Sequence, residues 1–177
     1  DLEDKDQTIS VPKPELKTKF ADVNGSKTVK ALGKVKFVDN VEYKNLIVGK
    51  EYTLTLTVMN KDTNKPITDA KGNVLTSTTT FTATKPNGVE KVEMTIDLTG
   101  YKTVELVAFE KLSHKGIDIA LHEDINDKDQ TVKIVEPAKP NNPKTNDTFK
   151  ALGFVVAISV ATLGLFVLTA KKKRLTK

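Results

Sequence analysis

The sequence contains no cysteine and no tryptophan, and aromatic residues make up only 6% of it. Without cysteine the chain can form no disulfide, no thiolate metal site and no cysteine nucleophile. The same absences exclude the Cys…Trp…Cys core that is typical of antibody domains. So few aromatic side chains also argue against a protein that stacks nucleic-acid bases.

Outside the C-terminal residues 171–177, the chain carries no excess of positive charge. The formal net charge of +5 is matched by the five basic residues at the end of the chain, which are Lys171, Lys172, Lys173, Arg174 and Lys177. The remaining residues are balanced in charge. We therefore expect no basic face and no nucleic-acid partner.

A short repeat is the clearest internal pattern. DLEDKDQT at Asp1–Thr8 recurs as DINDKDQT at Asp124–Thr131, and a Pro/Lys segment follows each copy. The spacing is too long for a solenoid repeat and favours tandem modules. Residues 1–14 are therefore expected to be the tail of a preceding repeat and a linker. Because the sequence starts without Met or a signal peptide, we expect it to be the C-terminal part of a longer exported protein.

The segment between the two copies has a β pattern. Tyr52–Val58 and Val92–Leu98 each place an apolar residue at every second position, and turn residues separate such runs. No stretch between the copies shows a sustained helical period. For residues 15–136 we predict an all-β fold, an immunoglobulin-like antiparallel β-sandwich.

The chain changes character after residue 136. Residues 137–150 are rich in Pro, Asn and Lys and are predicted to form an extended linker. Residues 151–170 carry no charge and are long enough to span a bilayer as a single C-terminal transmembrane helix. Residues 171–177 are basic and predicted to be a cytoplasmic tail.

Within this linker lies a five-residue motif, NPKTN, which consists of Asn142, Pro143, Lys144, Thr145 and Asn146. The order of linker, motif, apolar span and basic tail resembles a Gram-positive cell-wall sorting signal in its NPxTN variant. The resemblance implies that a sortase cleaves after Thr145 and joins the chain to peptidoglycan, with the membrane holding the precursor before sorting. A plain single-span membrane protein is the alternative.

Four further motifs follow one another along the chain. They are LKTKFAD at Leu16–Asp22, DNVEYKNL at Asp39–Leu46, VAFE at Val107–Glu110 and HEDINDKDQT at His122–Thr131. Together they resemble the VaFE repeats of Gram-positive surface adhesins. The resemblance implies an immunoglobulin-like stalk module in which a threonine of the first strand and a glutamine of the last strand form an intramolecular ester bond.

By position, the resemblance implies a cross-link between Thr18 and Gln130. Asp39, Glu110 and His122 would be the catalytic groups that assist its formation. His122 would take the proton of the Thr18 hydroxyl. The two carboxyl groups would share a proton, and the neutral one would donate a hydrogen bond to the Gln130 carbonyl.

The pattern of the strands supports these positions independently. Because alternate residues of a strand share a face, Thr18, Asp39, Glu110 and Gln130 all fall on apolar faces. Polar groups buried without partners are costly, so convergence on one site would remove that cost. His122 has the opposite parity to its apolar neighbours. We expect a strand end or a β-bulge to turn it toward the site.

These expectations describe a structural stalk of a secreted, cell-wall-anchored adhesin rather than an enzyme. We expect no cofactor and no metal, since the acidic residues 124–129 lack the glycine and terminal glutamate of an EF-hand loop. A host or matrix ligand would be bound by upstream domains. Two alternatives remain open: the anchoring region of a surface enzyme with its catalytic domain upstream, and a pilin-like subunit with a Lys–Asn isopeptide bond.

Overall fold

A computed structural model describes residues 12–139 of the chain. The sorting motif, the apolar segment, the basic tail and the first copy of the octapeptide repeat lie outside these residues. Within residues 12–139 every regular element is a β-strand, and no helix that could span a membrane occurs there.

The strands form two facing sheets. The smaller sheet has the order β1-β3-β7, and the larger has the order β2-β10-β8-β4-β5, with β6 also paired to β4 and β9 also paired to β8. All pairs are antiparallel except β10 with β2, which is parallel. The described strands are β1 Glu15–Asp22, β2 Thr28–Lys30, β3 Lys34–Lys44, β4 Glu51–Asn60, β5 Lys65–Pro66, β6 Thr76–Thr82, β7 Gly88–Asp97, β8 Val104–His114, β9 Ile117–His122 and β10 Thr131–Val135.

The alternating sequence pattern produces the core between these sheets. In β4, Leu54, Leu56 and Val58 are fully buried, while the intervening threonines are only partly buried. In β7, Val92 and Ile96 are buried in the same way. The period of two puts each apolar set on one face, so packing the two sheets face to face removes both sets from water. The predicted all-β two-sheet sandwich is confirmed.

A β-bulge changes the face of β9. Leu112 of β8 pairs with Ala120, but the next residue, Ser113, pairs with Asp118, so Ile119 is the extra residue. One extra residue in a strand moves every side chain beyond it to the opposite face of the sheet. His122 is consequently placed opposite Glu110 and on its face of the sheet. The bulge and the strand end that the parity of His122 predicted are thus both present.

Strand β1 is hydrogen-bonded to the residues that lead into β10. The amide of Phe20 in β1 donates to the carbonyl oxygen of Asp129 at 3.0 Å, and Asp129 lies just before β10. This contact joins an edge of the small sheet to the large sheet. It brings together two parts of the chain that are far apart in sequence.

Candidate functional site

Four polar side chains are buried in the described part of the sandwich. Thr18 is 2% exposed, and Asp39, Glu110 and Gln130 are 0% exposed. The side-chain amide Nε2 of Gln130 donates a hydrogen bond to Oγ1 of Thr18, across a sequence separation of 112 residues. The structure therefore brings together the two residues predicted to be cross-linked.

The small sheet supplies Thr18 and Asp39. In the register of β1 and β3, Phe20 lies opposite Asp39 and Thr18 lies opposite Val41. Residues two apart in a strand share a face, so Thr18 and Asp39 are diagonal neighbours on the inner face. The apolar residues around them, including Phe20 and Val41, are 0% exposed and keep this face dry.

The large sheet supplies Glu110 and Gln130. The amide of Ala108 in β8 donates to the main-chain oxygen of Gln130 at 3.0 Å, which holds Gln130 beside β8. Glu110 follows Ala108 by two residues and is buried like it. Both side chains thus face the interior from neighbouring positions, toward the small sheet that carries Thr18.

Several oxygen atoms in this cluster have no hydrogen-bond partner. Both carboxyl oxygens of Asp39, both of Glu110, and Oε1 of Gln130 are buried and unpartnered. A buried charge without partners is very unfavourable, so such a carboxyl group favours its protonated form. Burial raises the pKa of Glu110 to about 9, and the charge of Asp39 adds to that rise.

The pKa of Asp39 is raised less than that of Glu110, because neighbouring groups oppose the effect of burial. Burial raises the pKa of Asp39 to about 7, while the nearby amide of Lys19 and the charges of His122 and Lys27 lower it. At neutral pH, Glu110 is therefore the protonated member of the pair, and Asp39 is poised between its two forms. A protonated Glu110 is a hydrogen-bond donor, and Oε1 of Gln130 is an acceptor that lacks a donor.

His122 ends β9 at the border of the site and is partly buried. Its Nε2 faces Oδ2 of Asp127 at 2.8 Å, and its Nδ1 faces the main-chain oxygen of Leu16 at 3.3 Å. Both ring nitrogens thus lie within hydrogen-bond distance of an oxygen atom. Thr18 is not among the hydrogen-bond partners of His122 in the described residues, so its role as the base stays a prediction.

Asp127 is a residue that the sequence reasoning missed. Its Oδ1 accepts the amide of Asp129 at 2.7 Å, and its main-chain oxygen accepts the hydroxyl of Thr131 at 2.6 Å. Burial alone would raise the pKa of Asp127, but the hydrogen bonds from His122 and the main chain outweigh it and lower that pKa. The available signal was the repeated octapeptide, in which Asp127 occupies the same place as Asp4.

No group of three or more His, Cys, Asp or Glu side chains within residues 12–139 is arranged to hold a metal ion. In the acidic segment, Asp124 instead accepts the amide of Asn126 at 2.9 Å. Its oxygen is thus used in a local turn.

A family described as the T-Q ester bond containing domain matches residues 14–134. The chain belongs to this family. Its buried threonine–glutamine pair, held in contact, agrees with the residues that the family's description names. No protein of curated function matches the chain.

Two solved structures of a bacterial adhesin from Mobiluncus mulieris have a similar fold. That adhesin contains intramolecular disulfide, isopeptide and ester bond cross-links. In one crystal form it is 17% identical, with a TM-score of 0.57 over 71% of this chain and 58% of the adhesin. In the other it is 18% identical, with a TM-score of 0.52 over 69% of this chain and 57% of the adhesin. The chain thus spans less than two thirds of these neighbours, and the likeness concerns the fold.

Proposed function

We propose that this T-Q ester bond containing domain is a self-cross-linking stalk module, of immunoglobulin-like type, in which Thr18 and Gln130 become joined by an ester bond. The observation that carries the proposal is the buried hydrogen bond between Nε2 of Gln130 and Oγ1 of Thr18. Reactive groups held side by side do not have to find each other, and that search is a large part of the barrier to a reaction between two groups.

The proposed reaction exchanges an amide for an ester. Oγ1 of Thr18 attacks the side-chain carbonyl carbon of Gln130, and a C–O bond forms. The C–N bond of the Gln130 amide then breaks, and the nitrogen leaves as ammonia together with the proton that came from the Thr18 hydroxyl. The product has lost one ammonia, and no oxidant, cofactor or other reactant is needed.

Glu110 would activate the electrophile. An amide carbonyl is a poor target until its oxygen is stabilised, and negative charge develops on that oxygen during attack. A protonated Glu110 would donate to Oε1 of Gln130, which has no donor before the reaction. Its raised pKa keeps it in the donating form at neutral pH.

Two groups are candidates for the base. Asp39 shares the inner face of the small sheet with Thr18, and a pKa of about 7 suits a base at neutral pH. His122 is the base implied by the family resemblance, but it would first have to free one ring nitrogen from Leu16 or Asp127. Replacing each in turn, Asp39→Asn and His122→Asn, decides between them, because loss of the base should slow linkage more than loss of its neighbour.

The interior would also preserve the product. Thr18 is 2% exposed and Gln130 is 0% exposed, so water has little access to an ester between them. Each module would react once and on itself. This is a structural role and not turnover of an external substrate.

The mechanical consequence follows from the position of the two residues. Thr18 lies in β1 and Gln130 directly precedes β10, so the bond would join the chain ends of the sandwich. Tension applied through these ends would pass mainly through the covalent link. Closing so long a loop should stabilise the fold by about 4–5 kcal/mol on a chain-entropy estimate.

An intact mass measurement tests the cross-link. The wild-type chain should be lighter than its sequence mass by one ammonia, while Thr18→Ala and Gln130→Ala should have their full sequence masses. Hydroxylamine at alkaline pH should open the bond, because it cleaves esters and spares amides. A wild-type chain of full mass would contradict the proposal, and a hydroxylamine-resistant loss of ammonia would favour an isopeptide bond.

We further propose that the module is carried on the surface of a Gram-positive bacterium and anchored to peptidoglycan by a sortase. Support comes from the order of segments from residue 137 onward and from the fold likeness to a bacterial adhesin. The alternative is the anchoring region of a surface enzyme.

Wall anchoring is tested by expressing the chain behind a secretion signal in a Gram-positive host. Wild type should appear in the muramidase-released wall fraction, and Thr145→Ala should remain with the membrane. If the wild-type chain stays in the membrane fraction, sorting is contradicted and the alternative of a single-span membrane protein is supported.

A further inference from the structure

We propose that Lys27 is a positioning residue for the cross-linking reaction, because its ammonium group ties together the main chain beside Thr18 and the main chain beside Gln130. The inference rests on the proposed ester bond. It concerns a residue that neither the sequence motifs nor the family match single out.

The side chain of Lys27 bridges two distant parts of the fold. Its Nζ donates to the main-chain oxygen of Phe20 at 2.6 Å and to that of Asp129 at 2.6 Å. Phe20 follows Thr18 by two residues in β1, and Asp129 immediately precedes Gln130. One ammonium group therefore holds the backbone on both sides of the reacting pair.

The main chain of Lys27 is itself fixed in the same region. The amide of Lys133 in β10 donates to the main-chain oxygen of Lys27 at 2.8 Å. Lys27 therefore presents its ammonium group from a backbone that is already attached to the last strand. A side chain held at its base and at its tip loses more conformational entropy than a free surface lysine, so the two hydrogen bonds must offset that loss.

The geometry at Asp129 shows why a cation is suited to this position. The main-chain oxygen of Asp129 accepts both the amide of Phe20 and the ammonium of Lys27. Lys27 thus places a positive charge within hydrogen-bond distance of the main-chain oxygens of both Phe20 and Asp129. Without it, the amide of Phe20 would still join Asp129 to β1, but the second, charge-assisted connection next to Gln130 would be lost.

The charge of Lys27 also reaches the reacting groups. Lys27 and His122 favour the ionised form of Asp39, while Asp127 disfavours it, and Glu110 feels the charge of Asp39 in turn. Burial lowers the pKa of Lys27, and Asp129, Asp39 and Asp127 oppose that change, whereas Lys19 adds to it. Loss of the Lys27 charge should therefore raise the pKa of Asp39.

A neighbouring lysine provides a matched control. Lys27 lies in a surface cleft together with Lys128, which is exposed and lies two residues before Gln130. Lys128→Met removes the same charge from the same cleft without removing the bridge between Phe20 and Asp129. Lys27→Met removes the bridge and the charge, and Lys27→Arg keeps the charge and offers new donors.

The experiment measures the rate of cross-linking as the protein folds. The 177-residue chain is recovered unfolded from inclusion bodies in concentrated urea, folded by dilution, and sampled by intact mass for the loss of ammonia. Lys27→Met should slow linkage at least about tenfold, the equivalent of one lost hydrogen bond to a charged group. Lys27→Arg should recover most of the rate, and Lys128→Met should match wild type.

A second readout separates positioning from general stability. In the unlinked Gln130→Ala background, adding Lys27→Met should lower the melting temperature only slightly. In the linking protein, the acidic limb of the rate–pH profile should move to higher pH for Lys27→Met and stay in place for Lys27→Arg.

A Lys27→Met rate equal to wild type would overturn the inference, and so would a loss of rate explained by unfolding or present equally at every pH. These outcomes are distinct from failure of the proposed function, in which the wild-type chain itself would lose no ammonia.

Discussion

Threonine and serine hydroxyl groups connect the two sheets at both open edges of the sandwich, but in opposite surroundings. At the β6–β7 edge, Oγ of Ser77 donates to the Glu93 main-chain oxygen at 2.6 Å, and Oγ1 of Thr79 donates to that of Lys91 at 3.0 Å. These contacts are accessible to solvent. At the other edge, the hydroxyl of Thr18 meets the Gln130 amide in the dry interior.

The difference between the edges lies in the neighbours and the burial of the hydroxyl group. Oγ1 of Thr79 donates to a main-chain carbonyl oxygen, and this contact is a hydrogen bond without further chemistry. Thr18 faces a side-chain amide, with Asp39 and Glu110 buried nearby and short of partners. A threonine hydroxyl that is exposed to water at a sheet edge thus serves only as a hydrogen-bond donor between the sheets. The same hydroxyl can act as a nucleophile where water is excluded and unpartnered carboxyl groups lie nearby.

The largest expected effect separates the two threonines. Thr18→Ala should abolish the loss of ammonia and lower the free energy of unfolding by about 4–5 kcal/mol, the estimated value of closing the loop. Thr79→Ala should keep the full loss of ammonia and cost about 1 kcal/mol, the value of one ordinary hydrogen bond. Intact mass and denaturant unfolding measure both. Equal effects of the two variants would remove the distinction between the edges.

The carboxyl pair should give a large effect on rate. Glu110→Leu removes the group that is proposed to donate to Oε1 of Gln130, whereas glutamine would keep a donor there. Linkage should slow by about 10²–10³-fold, as for loss of one donor that stabilises an oxyanion. In wild type the rate should rise as pH passes about 7, where Asp39 ionises, and fall above about 9, where Glu110 ionises. Refolding across this range with intact-mass sampling checks the profile. A flat profile would show that neither carboxyl group takes part.

The same carboxyl groups predict how stability depends on pH when the link is absent. The folded-state pKa of Glu110 lies above its ordinary value of 4.5, at about 9. The stability that this residue contributes is therefore present below pH 4.5 and is lost as pH rises through about 9. Gln130→Ala should melt at lower temperature as pH increases over this window. Adding Glu110→Gln should flatten the trend, and an unchanged slope would contradict the raised pKa.

A substitution at Gly88, the first residue of β7, tests the β6–β7 edge, which lies away from the site. A Cβ atom at this position would collide with the ring of Tyr43, the residue opposite it in β3. Gly88→Ala should therefore cost about 1–3 kcal/mol by overpacking, while the cross-link still forms. Thermal unfolding and intact mass measure the two parts separately. Loss of linkage in this variant would mean that strain at one edge reaches the other.

The smallest predicted effect concerns Asp127. Asp127→Asn keeps the shape of the side chain but removes the negative charge that faces Nε2 of His122. We expect linkage to slow by about tenfold or less, on the scale of one charge-assisted hydrogen bond. The rate of ammonia loss during refolding is the measurement, with Asp124→Asn as the control in the same acidic segment. A larger effect from Asp124→Asn would show that the turn matters and not the contact with His122.

Much of the fold was predictable because it depends on local pattern. The alternation in Tyr52–Val58 and Val92–Leu98 predicted strands, and both segments are strands with their apolar residues buried. Parity also predicted inward faces for Thr18 and Gln130, and the structure buries both. The chemical bond between them stays a prediction.

Contacts that depend on turns and on distant side chains were not predictable in the same way. His122 faces the site only because Ile119 is an extra residue in β9. The parity of His122 predicted a strand end or a β-bulge, but it did not indicate which residue would be the extra one. Lys27 donates to an oxygen 102 residues away, and Asp127 meets His122 across the turn that follows β9. Such contacts depend on how loops end, which sequence periodicity does not describe.

By itself, the sequence determined that alternating strands would carry a threonine, a glutamine and two carboxyl groups on faces that must leave water, because a strand repeats every two residues. Only the tertiary structure decided that these four groups meet at one place, that Glu110 and Asp39 differ in pKa, and that Lys27 and His122 border the site. The reason is physical: burial and charge depend on what lies across the sandwich, and those neighbours come from parts of the chain up to 112 residues apart.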